Sequence, residues 1–197
     1  MEIVAYLVGA VIGLLCCVPV FIVYGVAFVL EGIAFTKLAQ RKPVKCLWIA
    51  WVPFYVEYSS KKYLMLQMSD EPDFRLFGGK MVFKNKMTPF WIYLAGYCGC
   101  ILISACSALL GWIPIVGLIV ILLACAIVFP AIIVLAIIDY AYFRDFLHAF
   151  SPDRQANVTT AVLVTIGNFF TFGIVRAIYI FCMVKKLEKA PVEEEIY

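Results

Sequence analysis

The feature that most limits this chain is its first uncharged run, Ile3 to Leu30, 28 residues without an acid or a base. A bilayer's hydrocarbon core is about 30 Å thick and takes about 20 apolar residues in a helix, so the run can cross with length to spare for tilt. Three further apolar runs follow, at about 90–110, 118–143 and 158–184. Hydrophobic residues make up 65% of the chain and charged ones 15%, where soluble domains hold about 45–50% and about 25%. Mean hydropathy is +1.00. Because the apolar residues come in blocks and do not alternate, they read as bilayer-spanning sequence. The expected fold is all-α and integral to the membrane, a single domain over 1–197. It has about four transmembrane helices plus one short interfacial or re-entrant aromatic helix.

Glu2 is the one charged residue before the first run. The basic lead of a signal peptide is missing and the run is too long for its apolar region, so it reads as an uncleaved anchor. Gly9 and Gly13 form a G-x-x-x-G pair, a close-packing face between membrane helices. Pro19 sits mid-run and is expected to kink the helix.

Glu31 ends the run, and a basic collar of Lys37, Arg41, Lys42 and Lys45 follows. The next apolar piece is too short to cross. Its Trp48, Trp51, Pro53 and Tyr55 suit the headgroup layer, which makes 46–58 an interfacial anchor. Residues 57–87 form a basic loop carrying Lys61, Lys62, Arg75, Lys80, Lys84 and Lys86 among aromatics. Beside membrane spans, such a surface is expected to meet anionic lipid headgroups and not nucleic acid. The stretch Asp73–Lys84 reads either as a short hairpin turning at Gly78-Gly79 or as an irregular loop.

Thr88-Pro89 opens the second span. Gly96, Cys100, Ser104 and Ala108 recur every four residues along it, a small-residue stripe that lets a second backbone approach. The uncharged turn Gly111–Gly117 leads to the third span, with a central Pro130 and with Asp139, Arg144 and Asp145 at its end. His148, the one histidine, falls in the next loop and reads as solvated. Of eight cysteines, seven lie inside apolar runs and read as buried small hydrophobes. No spacing suggests a metal site or a cofactor.

Ten of the sixteen Lys and Arg lie between Lys37 and Lys86, and none in the Gly111 turn. Basic residues stay cytoplasmic. The chain is therefore expected in the cell membrane, with its N-terminus outside and residues 36–87 inside. The run 158–184 leaves two courses open. Its length favours a plain crossing, which strands the three lysines of the tail 185–197 outside. A fold-back near Asn168 returns the tail to the cytoplasm. Arg176 separates the two: a straight helix from Val158 carries it about 27 Å away, whereas a hairpin brings it level with Asp139 and Glu31 as candidate intramembrane partners.

The sequence Phe35-Thr-Lys-Leu-Ala-Gln-Arg41, followed by Lys45-Cys-Leu-Trp-Ile-Ala-Trp-Val-Pro53, is similar to a pattern in a family of small multi-pass membrane proteins of Gram-positive bacteria. There a basic A-x-R segment precedes W-x-A-W-x-P. Tyr142–Phe146 with Ser151-Pro-Asp153 and Ala156-Asn-Val158 resembles that family's lead into its last apolar run. The family often has Asn shortly after the proline, where Tyr55 and Val56 stand here, and the loop 57–87 departs from its pattern. The resemblance implies a topology and no activity.

Motifs of zinc peptidases, nucleotide-binding loops and serine hydrolases are missing from the sequence. The expectation is a non-enzymatic subunit, assembly or sensor protein that binds another membrane protein or its own copy. A small-solute transporter or channel component is the alternative, and an intramembrane enzyme ranks third.

Overall fold

A computed structural model describes residues 2–52, 55–110, 116–171 and 173–189. The chain is mostly helical. Helix α1 (Glu2–Arg41) leads through a 3-10 turn at Leu47–Trp51 into α2 (Tyr55–Met68). A small hairpin of β1 (Phe74–Leu76) and β2 (Met81–Phe83) follows, then α3 (Met87–Leu110), α4 (Val116–His148), α5 (Arg154–Thr171) and α6 (Ile174–Lys189). Among the described residues, three helical stretches are long and apolar enough to cross a membrane: Phe21–Arg41, Met87–Leu110 and Gly117–His148. The run 158–184 is not a fourth.

That run departs from the expected crossing. It is two helices with Gly173 between them at φ +101, a backbone state open to glycine but strained for residues with a Cβ. The Gly173 N–H donates to the Asn168 carbonyl at 3.3 Å, and the Thr171 hydroxyl accepts from the Val175 N–H at 3.3 Å, capping the new helix. Gly167 lets α6 approach, since a Cβ there would lie 3.1 Å from Val175. α5 packs on α4, and α6 on α1. The far end of α6 returns to the collar, where Arg41 donates to the Leu187 carbonyl at 2.6 Å and Lys37 meets Glu188 at 2.6 Å.

Other boundaries also move. α1 does not stop at Leu30 but runs 40 residues through Glu31 and into the collar, a length of about 60 Å. α1 and α4 are continuous across Pro19 and Pro130. The segment 46–58 is not one interfacial helix, because α2 already begins at Tyr55. The loop 57–87 holds α2 and an antiparallel hairpin with Leu76 opposite Met81, so the fold is not purely α. The turn does fall at Phe77–Gly79. α3 starts at Met87, before Thr88, with the Asn85 side chain accepting from the Met87 N–H at 2.9 Å.

Two apolar clusters form the core. One joins Phe35, Leu38, Met65, Phe143, Phe146 and Ile180; the other joins Leu66, Phe74, Phe90, Tyr93, Ile138 and Tyr142. Both gather at the collar end of the bundle. Toward the other end α3 and α4 pack chiefly on each other, and Leu102, Leu109, Leu122 and Phe129 stand 61–77% exposed.

Replacing Gly173 by Ala is expected to destabilise the chain by about 1–2 kcal/mol, the cost of a Cβ in a left-handed conformation. Gly99→Ala, with open space around it, serves as control. Denaturant midpoints in detergent check both.

Candidate functional site

The site is a knot of ionised side chains from four helices. Lys61 and Lys62 are consecutive on α2, about 100° apart around its axis, so they point at different neighbours. Lys61 Nζ lies 2.5 Å from Glu31 Oε2 of α1, and Lys62 is ion-paired with Asp139 of α4. Arg176, in the first turn of α6, spans both acids: its Nε donates to Glu31 Oε1 at 3.0 Å and its Nη1 to Asp139 Oδ1 at 3.4 Å. All five groups are at most 7% exposed. Each lysine also lies over an aromatic ring, Lys61 over Phe28 at 5.0 Å and Lys62 over Tyr93 at 4.5 Å, where the ring face attracts the cation.

Burial pushes the Lys62 ammonium down from 10.5 to about 8, with the Asp139 carboxylate opposing the shift. The arrangement works as an internal clamp, binding α1, α2, α4 and α6 at one depth.

The structure thus brings Arg176 to Glu31 and Asp139, which a plain crossing would keep apart. It adds Lys61 and Lys62, which by sequence belong to a basic surface on lipid. They are inside, and unavailable to headgroups. A signal is present in the sequence: Leu64, Met65, Leu66 and Met68 follow them closely and are all buried, so α2 is a core helix.

Trp48 and Trp51 are exposed by 68% and 44%. Trp51 leans on α1, its Nε1 donating to Thr36 Oγ1 at 3.3 Å and its ring meeting Phe28 edge-on at 6.3 Å. Gly32 makes the room, since a Cβ there would lie 3.0 Å from the indole. Pro53 lies outside the described residues, as does the side chain of Tyr55. Gly9 and Gly13 fall in α1, where the surroundings of residues 1–17 are likewise not described.

The Gly96 end of the small-residue stripe turns toward α4 of its own chain. A Cβ on Gly96 would lie 3.2 Å from Leu135. Ser104 and Ala108 face Ala124, Cys125 and Val128 across a cavity of about 670 Å³, and Ser104 Oγ donates within its helix to the Cys100 carbonyl at 2.8 Å. The stripe thus meets α4 at Gly96, while Ser104 and Ala108 stay exposed.

His148 ends α4 half-buried, with Nδ1 3.7 Å from Glu71, so it is not a solvated loop residue. Cys106, Cys125 and Cys182 are exposed on helix surfaces and not buried. Among the described residues, no group of three His, Cys, Asp or Glu could hold a metal ion. Compared with family models, curated proteins and solved structures, the chain finds no significant match.

Removing one partner of a buried pair leaves a stranded charge, at a cost of about 3–5 kcal/mol. Arg176→Met is expected to destabilise by that order, and Lys37→Met, whose pair with Glu188 is half exposed, by about 0–1 kcal/mol. Unfolding free energies in detergent separate the two. The Lys62 proton gives a second expectation. Its value of about 8 lies below the 10.5 of a free lysine, so the buried charge costs stability below pH 8. As pH rises from 8 toward 10.5 the folded chain sheds the proton before the unfolded one, and the cost disappears. The wild type should gain stability over Lys62→Met between pH 7 and pH 9.5.

Proposed function

We propose that this chain is a multi-pass membrane protein that works by binding, as a subunit, assembly or sensor protein, and not by catalysis. Three helices cross the bilayer, while α5 and α6 enter and leave on the same side. The observation that carries the reading is the clamp. Every ionised group in it is held by an opposite charge, Lys61 on Glu31, Lys62 on Asp139, and Arg176 on both acids. Charges cost about 2.5–3.5 kcal/mol or more at membrane depth unless they are matched. Such a set fastens helices together.

The basic residues support an orientation. Arg41 reaches Leu187 of α6, Lys86 donates to the Ser69 carbonyl at 3.0 Å, Arg144 to the Arg75 carbonyl at 3.0 Å, and Arg154 meets Glu71 at 3.2 Å. Collar, loop and tail thus share one end of the bundle, the cytoplasmic end by charge bias. The N-terminus and the 111–115 connection then lie outside, and the C-terminus inside. At that inner end Lys80 and Lys84 of the hairpin, beside exposed Phe77, Met81 and Val82, suit anionic lipid headgroups.

With Gly96 engaged by α4, partner contact falls to the exposed Ser104 and Ala108 end of the stripe and the exposed outer faces of α3 and α4. A transporter role has one observation in its favour: Thr165, Asn168 and Thr171 line a cavity beside the re-entrant α5–α6 pair, the kind of broken-helix site where solutes bind.

A C-terminal green fluorescent protein fusion is expected to fluoresce and an alkaline phosphatase fusion there to be inactive, with the reverse for fusions in 111–115. Purification from native membranes in mild detergent should give a second protein or a multiple of the chain's 22.2 kDa. A lone monomer, together with solute flux in proteoliposomes that is lost on Asn168→Leu, would favour the transporter instead.

A further inference from the structure

We propose that the large cavity beside the clamp binds an amphiphile with an uncharged, hydrogen-bonding head, taken up head inward. The inference rests on the membrane placement above and names the ligand that this placement would deliver. The cavity measures about 1010 Å³, near the upper end of small-molecule sites, about 300–1,000 Å³. It lies between α1, α5 and α6 on one side and α3 and α4 on the other.

Its lining changes character with depth. Phe21, Phe169 and Phe170 are 67%, 63% and 73% exposed, so the outer wall is apolar and open. Tyr93, Asp139 and Asn168 are 3%, 7% and 4% exposed, so the inner wall is polar and enclosed. A ligand with an apolar tail and a polar head matches that gradient in one orientation only.

The head is uncharged for two reasons. Asp139, the one ionised group lining the cavity among the described residues, is already held by Lys62 and Arg176. Thr171 is already bonded to Gly167 and Val175, and the other polar groups are the phenols of Tyr24, Tyr93 and Tyr97, the Asn168 amide and the Thr165 hydroxyl. Each of these groups both donates and accepts, which suits a hydroxyl or an ester carbonyl. A charged head would also have to pass the apolar mouth, where charge is disfavoured. The fitting class is a single-chain acylglycerol or long-chain alcohol.

The test uses the full chain in phosphatidylcholine nanodiscs, with thermal unfolding followed against added monooleoylglycerol, oleate or oleylamine. Monooleoylglycerol is expected to raise Tm saturably, and the two charged amphiphiles to do so at least tenfold less effectively. Asn168→Leu should raise the half-saturating concentration at least tenfold, and Ala136→Phe, which fills the cavity, should abolish the shift. Ser104→Leu, in the separate α3–α4 cavity, should leave it intact. Equal shifts with all three amphiphiles, a preference for either charged one, no shift with monooleoylglycerol, or a shift that survives in whichever of the two cavity variants folds, would overturn the proposal. Failure to float with vesicles on a density gradient would instead remove the membrane placement, and this site with it.

Discussion

Five ionised side chains that must meet out of water govern the course of this chain. Glu31 and Asp139 sit on helices far apart in sequence, and neither can be left buried alone, because an unmatched internal ion costs several kcal/mol. Lys61 and Lys62 satisfy one acid each. Arg176 then joins the two halves. A guanidinium suits that position because its planar fork presents donors in two directions, here used on Glu31 and on Asp139. The clamp need not add net stability over a well-packed apolar core. It specifies which helices meet and at what depth, since sliding any one of them by a turn would break its pairs with the others.

The same constraint divides the molecule into unlike ends. Around the clamp, Phe35, Phe143, Phe146 and Tyr142 are nearly inaccessible, and Phe74 lies 4.6 Å from the Tyr142 ring. Away from it, α3 and α4 hold each other while their outer faces carry exposed Leu, Ile and Phe. In water that much contiguous apolar surface would drive association. On the proposed placement lipid covers it, and helix contact must come from close packing, which is what Gly96 against Leu135 supplies. Trp48, Trp51, Phe77 and Trp91, all exposed by 44–68%, stand on the elements around the clamp, where a headgroup-level aromatic belt would lie.

Much of this is legible in the residues. The apolar runs mark three of the long helices, the Gly78-Gly79 pair marks the hairpin turn, and Arg176 points to its own partners. What is not legible has identifiable reasons. Counting apolar length makes 158–184 a crossing, because length ignores where a buried arginine finds its acid. Gly173 and Thr171, a residue free to take φ +101 and a cap for the next helix, look like ordinary span residues. Lys61 and Lys62 look like surface charge because long-range pairing leaves no local periodic mark. The stripe from Gly96 to Ala108 is a true close-approach surface, but a stripe does not say whose backbone approaches. At Gly96 the neighbour is α4 of the same chain, while Ser104 and Ala108 stay exposed.

The turn at Gly173 also has a chemical consequence. Thr165, Asn168 and Thr171 recur every three residues and so share one face of α5. They line a recess together with Asp139 and Tyr93, and the returning α6 adds Ile174 to its wall. Arg176, on the returning helix, holds Asp139, which is also part of the recess's polar floor. Clamp and recess are one device, and a ligand filling the recess would press on both α4 and the α5–α6 pair, the elements that Arg176 holds in register.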